Sequence, residues 1–456
     1  MKILANLREK SQKWFDELAR RAPARLTLVI FLCIIAVFSG LLMLPIATAG
    51  TASASVVDAL FTGTSAVCVT GLTVLPTETY WSGFGLLVIM LGIKIGGLGV
   101  MTLASMLSLA VSRHIGLTTR LLAAGEKSSN LGDVGSLVKL ALGISLSVEG
   151  ILAALFFPRF LSLDFGVLRS AWYSIFMAIS VFNNTGFVIL PDGMTSHAAD
   201  FAMIAPIIVG AFIGALGFPV AMDLRRNWRH PRRLTLHSKL TLVTTTALMA
   251  IGGLLTALIE WNNPDTYQKL GLGGKLFASV LAGVNTRSVG ISTVDVADMH
   301  QSSWFLMDIM MFIGGGTAST AGGIKVTTVA VMVLAIIAEI RGDRDLEAFG
   351  RRIGAHTVRL AVAVVAMGAL IVGVSTMLML ILTDLPLAQV LLETTSAFGN
   401  VGLSTGITPH LPDSAKILLI LLMFTGRVGT MTFGAALAMR LRRRVIRYPE
   451  ESPSIG

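Results

Sequence analysis

The apolar residues of this chain gather into eight runs, approximately 26–48, 82–111, 136–157, 201–222, 240–260, 303–338, 358–382 and 415–438. A helix needs roughly 20 apolar residues to cross the ~30 Å hydrocarbon core of a bilayer, so the runs are of spanning length. Composition closes the soluble alternative, because only 14% of residues are charged where a soluble domain carries about 25%. The expected fold is an all-α integral membrane protein with eight transmembrane spans.

Charge gives the orientation. The net charge is +10, and 27 of the 36 Lys and Arg lie in 2–25, 113–139, 225–239, 341–359 and 440–447. The intervening Pro45–Asp58, Leu190–Asp200 and Ser292–Ser302 carry none. Basic residues on one side of each hydrophobic pair mark the cytoplasmic face. That places both termini in the cytoplasm, in a cell-membrane protein, and accounts for the basic balance without nucleic acid. The N-terminal basic stretch and the span-length Leu26–Leu44 lack the exit of a cleaved signal. Cys33 and Cys68 match no disulfide or metal spacing.

Between the members of each pair of runs lies a shorter, moderately apolar segment ending in a glycine motif: AVCVTGLTV (66–74), VFNNTGFVI (181–189), VNTRSVGIS (284–292) and FGNVGLSTG (398–406). Such a segment is too short to span and reads as a re-entrant helix. The anchors Gly71, Gly186, Gly290 and Gly402 are spaced by 115, 104 and 112 residues. A second motif follows each: IGGLG (95–99), IGALG (213–217), IGGGT (313–317) and TGRVG (425–429), beginning its glycines 25, 28, 24 and 24 residues after the anchor. Two motifs in fixed order at near-fixed separation define four tandem helix–pore-loop–helix repeats: 26–112, 134–224, 238–340 and 357–440, flanked by a basic cytoplasmic N-terminus (1–25) and a cytoplasmic tail (441–456). The plainer reading of the second motif is small-residue helix packing.

Non-helical backbone at membrane depth is tolerated only where it is buried or lines water. Four such loops around a pseudo-fourfold axis would offer rings of carbonyl oxygens that replace the hydration shell of a cation. The expected cation-binding backbone is Val69, Thr70 and Gly71; Asn184, Thr185 and Gly186; Ser288, Val289 and Gly290; Asn400, Val401 and Gly402. The side chains of Asn183, Asn184, Thr185, Asn285, Thr286 and Asn400 are read as loop braces, and Arg287 as pointing behind its loop to a carboxylate or carbonyl. The carboxylates Asp192, Asp200, Glu260, Asp265, Asp295, Asp298, Asp384 and Asp413 could attract cations weakly, or simply be solvated loop residues.

At these loops, at TAGGIK (320–325) and at GRVG (426–429), the sequence resembles the superfamily of K⁺ transporters comprising the Trk, Ktr and plant HKT proteins. The likeness runs from about residue 26 to 440, and the eight-span count looks most like the Ktr membrane subunit. The resemblance implies K⁺ as the permeant ion with no tightly bound cofactor, and leaves Na⁺ open as an activator. Glycine at all four anchors goes with K⁺ selectivity in this family, whereas serine in the first repeat accompanies Na⁺ transport in some plant members. It also implies a homodimer, each protomer with its own pore, docked on a cytoplasmic ring of nucleotide-binding RCK-type subunits. The basic cytoplasmic loops are candidate docking faces.

The run 303–338 is too long for one span, and its middle, Gly314, Gly315, Gly316, Thr317, Ala318, Ser319, Thr320, Ala321, Gly322 and Gly323, is rich in glycine, each costing about 1 kcal/mol in a helix. A span broken there is expected; in the family the matching loop lies beneath the filter and acts as the gate. Arg427 replaces Gly97, Ala215 and Gly315 in the repeat alignment, and a charge at mid-membrane costs about 2.5–3.5 kcal/mol on insertion scales. It is expected below the filter as an electrostatic barrier holding the gate loop through carbonyls, with pairing to Asp223 or another carboxylate the alternative. Lys325 either caps loop carbonyls or pairs with a carboxylate. Lys94 departs from the family pattern, and snorkelling or contact with a dimer partner would account for it. A membrane enzyme finds no metal or nucleophile motif here. An alternating-access carrier coupled to Na⁺ or H⁺ is the competing class.

Overall fold

The computed structural model describes residues 23–50, 52–114, 134–191, 193–430 and 434. Nearly all of the predicted N-terminal stretch 1–25, with Asp192, the end of the run 415–438 and the tail 441–456, lies outside the described residues.

Helix boundaries follow local chemistry. Helix α1 (Pro23–Leu42) opens on proline, which suits a first turn. The short α2 (Val56–Val67) is capped by the Ser55 hydroxyl, which accepts from Asp58 N at 3.1 Å. Helices α3 (Gly83–His114), α4 (Val134–Leu161) and the short α5 (Val167–Phe182) follow. Next come α6 (Phe201–Leu216), α7 (Phe218–Asn227) and α8 (Leu236–Glu260), the last capped by Thr235. The remainder comprises α9 (Leu272–Asn285), α10 (Gln301–Phe312), α11 (Val326–Arg341), α12 (Ala355–Leu382), α13 (Leu387–Gly399) and α14 (Asp413–Phe424). Among the described residues, Lys139–Leu161 of α4 and the whole of α8 and α12 are long and apolar enough to cross a membrane.

The structure departs from the sequence reading in three places. The run 201–222 is not one helix: α6 and α7 meet at 98° across Gly217. Gly217 has φ +89° and lies so close to Thr317 O that a Cβ would overlap it, and Pro219 then starts a new helix. The fold is not purely α-helical, since β1 (Leu346–Ala348) and β2 (Arg351–Ile353) form an antiparallel hairpin. Phe349 (φ 52°) and Gly350 (φ 72°) make its turn, with the positive φ pair a two-residue hairpin prefers, and Leu346 and Ile353 pack on Leu240 and Val331. Finally, α14 passes at Phe424 into a π-helical turn over Thr425–Gly429, a local widening frequent at functional sites.

Packing brings the two ends of the chain together. Each short helix lies against the long helix before it: α2 on α1, α5 on α4, α9 on α8 and α13 on α12. Each following helix reaches the next short helix: α3 touches α5, α6 touches α9, α10 touches α13 and α14 returns to α2. One apolar cluster accordingly joins Phe61 and Ile89 to Phe398 and Met423.

Candidate functional site

The short helices α2, α5, α9 and α13 each end beside one of the glycine anchors. In three of them the loop turns the same way: Thr70 N donates to Ser65 O (2.8 Å), Thr185 N to Ser180 O (2.9 Å) and Val401 N to Ser396 O (2.9 Å). The serine hydroxyls hold the far side of the turn. Ser65 Oγ accepts from Gly71 N (3.0 Å) and donates to Leu72 O (2.7 Å), Ser180 Oγ donates to Phe187 O (2.8 Å), and Ser396 Oγ accepts from Gly402 N (3.1 Å). In the remaining loop the Asn285 amide donates to Ile291 O. The sequence reading missed these serines, although each stands six residues before its anchor.

All four loops share one backbone pattern. Val69, Asn184, Ser288 and Asn400 have φ of 58°, 57°, 89° and 52°, and the glycines two residues on have φ of 88°, 81°, 66° and 92°. Positive φ at valine is a genuine outlier, and such strain persists where the surroundings over-determine it and the site uses it. A Cβ on Gly71 would overlap Thr185 O, one on Gly186 would overlap Val289 O, one on Gly290 would overlap Val401 O, and one on Gly402 would overlap Thr70 O. The carbonyls of Thr70, Thr185, Val289 and Val401 thus alternate with the four glycines in a closed cycle. In every loop the two residues before the glycine are buried and the glycine itself is partly exposed. Side chains tie the cycle together: Asn400 Nδ2 donates to Thr70 Oγ1 (2.8 Å) and Met423 O (2.9 Å), and Ser288 Oγ donates to Asn400 O.

The outgoing-helix glycines are close-approach points. At Gly96, Gly214 and Gly426 a Cβ would overlap the carbonyl of Val67, Phe182 or Phe398, each at the end of the preceding short helix. Gly314 departs from this pattern and packs on Gly322 O.

Between α10 and α11 the chain from Ile313 to Lys325 is neither α-helix nor strand, and every residue of 314–323 except Thr317 is buried. This segment lies against the glycine loops. The Thr320 hydroxyl is 3.0 Å from the Asn184 amide and donates to Gly214 O (3.0 Å), Gly322 N donates to Ser288 Oγ (3.3 Å), and Gly316 N donates to Ala215 O (2.8 Å). Arg427 is fully buried, and its Nη1 donates to Thr320 O, while Nε and Nη2 have no partner among the described residues. Asp223 bonds instead to Asn227 and Thr235. Lys325 caps the segment, donating from Nζ to Ala321 O (2.8 Å) and Gly322 O (3.4 Å). Arg287, also fully buried, donates to the carbonyls of Ile313 and Met310 (2.6 Å to the latter).

Two charges behave differently from the sequence reading. Lys94, for which the sequence offered no partner within the chain, forms an ion pair with Glu149 at 2.5 Å. Glu260 is not a solvated loop carboxylate. It is fully buried and accepts from Asn263 Nδ2 (2.6 Å), Thr266 Oγ1 (2.8 Å), His300 N (2.9 Å) and Ser303 Oγ (2.5 Å), stapling the loop after α8 to the start of α10. Glu260→Ala leaves these donors without their acceptor, at about 1–3 kcal/mol for each group left buried. The expected loss is about 3 kcal/mol or more, checked by the thermal denaturation midpoint in detergent. Asp200 caps α6 and pairs with Arg159 at 2.5 Å, whereas Asp295, Asp298, Asp384 and Asp413 are exposed. The reading also missed Glu393, buried behind the fourth loop, where it accepts from Ser404 and Thr408.

A family model described as "Cation transport protein" matches residues 8–442. The chain is 37% identical over 444 residues to the Ktr system potassium uptake protein B of Bacillus subtilis, covering 97% of this chain and 98% of that one. It is 33% identical over 450 residues to the potassium/sodium uptake protein NtpJ of Enterococcus hirae, covering 96% and 98%. The crystal structure of the potassium transporter TrkH from Vibrio parahaemolyticus superposes with a TM-score of 0.70 at 19% identity, over 91% of this chain and 84% of that one; this likeness concerns the fold.

Proposed function

The chain belongs to the TrkH family of cation transport proteins, and from that premise we propose that it is the potassium-translocating membrane subunit of a K⁺ uptake system. Permeation runs through a filter made of main-chain oxygens at Val69–Gly71, Asn184–Gly186, Ser288–Gly290 and Asn400–Gly402. The observation that carries this reading is the closed cycle of the Thr70, Thr185, Val289 and Val401 carbonyls against the four anchor glycines. Among the described residues no donor pairs with these four oxygens, and buried carbonyls need a partner. A dehydrated K⁺ supplies it.

In the same proposal the chain forms four helix–loop–helix repeats around a pseudo-fourfold axis, with eight spans and both termini cytoplasmic. The cyclic packing of the short helices supports the fourfold arrangement. The buried segment 314–323 is the gate, and its bonds to Asn184, Ser288 and Arg427 support a closed state in which it obstructs the path. Lys325 holds one end of that segment. Control comes from a separate cytoplasmic nucleotide-binding subunit of RCK type, on a homodimer of this chain. The similarity to Ktr system and NtpJ uptake proteins supports K⁺ as cargo with Na⁺ a candidate activator.

Expression in K⁺-uptake-deficient cells, with and without a regulatory subunit, tests the reading. Growth at micromolar K⁺ that requires this chain is expected, and purified protein in liposomes should give ohmic currents. Saturating flux strictly coupled to Na⁺ or H⁺, with no single-channel events, would replace the pore by an alternating-access carrier.

A further inference from the structure

Three residues before the anchors stand Cys68, Asn183, Arg287 and Gly399, and the chain secures the last three by different chemistry. Gly399 packs directly on Met311 O, and Arg287 grips carbonyls at the end of α10. Asn183 is held by hydrogen bonds. It is the C-cap of α5 and immediately precedes Asn184. Its Nδ2 donates to Ile179 O (2.8 Å) and to Glu149 Oε1 (3.0 Å). Its Oδ1 rests on Gly97, where a Cβ would overlap it.

Glu149 is itself fixed from α3. Lys94 Nζ lies 2.5 Å from Glu149 Oε2 and donates to Ser145 Oγ (2.7 Å), and Ser145 donates to Glu149 Oε1 (3.0 Å). Lys94 and Gly97 are one turn apart on α3, and Ser145 and Glu149 one turn apart on α4. Two helices from different units thereby clamp the side chain leading into the second loop. Charges among apolar helices are expensive and mark functional sites by default, and a buried pair adds little stability over an apolar pair of like volume. Packing stability therefore does not account for this network.

We infer that Glu149, held by Lys94, is a positioning residue for ion discrimination: by accepting from Asn183 it sets where the Asn184–Gly186 backbone stands, and with it one quarter of the carbonyl cycle. This rests on the reading of that cycle as the filter. The hydrogen bond to Asn183 does the positioning, and the ion pair aims the carboxylate.

The test compares two neutral double variants of the full chain in liposomes, read as the K⁺/Na⁺ permeability ratio. K94M/E149L removes the acceptor while refilling the space with apolar groups, and the ratio should fall about fivefold, the scale of one lost hydrogen bond. K94M/E149Q restores an acceptor for Asn183 without charge and should recover most of the ratio. Asn183→Ala should reproduce the fall alone, and adding K94M/E149L to it should lower the ratio no further, since the three groups act as one unit. A wild-type ratio in K94M/E149L, or independent losses that add, would overturn the inference. If the apolar pair is not produced, Glu149→Asp withdraws the carboxylate from Asn183 while keeping its charge for Lys94, and an unchanged ratio there overturns it equally. Wild-type protein that moves no monovalent cation would overturn the filter reading and this inference with it.

Discussion

Replacing Gly71 with serine is expected to lower K⁺ transport at least tenfold while the protein still reaches the membrane. Two costs meet at this position. Gly71 has φ +88°, a region that costs a residue with a Cβ about 1–2 kcal/mol. That Cβ would also overlap Thr185 O, so either the first loop or the second must move. Both belong to the proposed filter, so the displaced oxygen no longer matches its three counterparts around a K⁺. Discrimination should suffer more than abundance, because the helices α2 and α5 behind the loops pack elsewhere on α1 and α4. Uptake of K⁺ and Na⁺ at matched expression checks this. Wild-type K⁺ uptake and an unchanged K⁺/Na⁺ ratio would show that Thr185 O is not an ion ligand.

Arg427→Ala should act in the opposite direction, raising flux about tenfold or more. The Arg427 guanidinium is fully buried and donates to Thr320 O in the proposed gate. A hydrogen bond from a charged donor contributes about 1.5–3 kcal/mol, and removing that much from the closed state enriches the open one by about tenfold or more. The substitution also takes a positive charge off the proposed ion path. Patch recording of reconstituted protein would show a higher open probability and a larger unitary conductance. Reduced currents from normally folded protein would instead make Arg427 a support of the conducting state.

The elements that were legible in the sequence are those set by simple chemical necessity. Run length exposed α4, α8 and α12 because hydrocarbon thickness dictates it, and the glycines of 314–323 coincide with the interruption between α10 and α11. The four anchors were visible because positive φ and close approach admit little besides glycine. What escaped depends on tertiary partners. The break at Gly217 looks in sequence like any small-residue packing site, and only the nearness of Thr317 O distinguishes it. Ser65, Ser180 and Ser396 are ordinary helix residues until their loops fold back on them. Glu149 lies in an apolar run as a lone acid, and its meaning comes from Lys94 and Asn183, 55 and 34 residues away in the chain. The hairpin at 346–353 is too short for a period of two to register.

The joint between Asn400 and Thr70 bridges 330 residues, and α14 reaches back to α2 across the same seam. Biosynthesis runs from one end, so in the proposed arrangement the nascent chain carries its first three glycine loops into the bilayer with that seam still open. Their polar main chain waits there until the closing segment emerges from the ribosome. A quality-control system that senses such unfinished backbone would be reading, in effect, whether translation has passed α14.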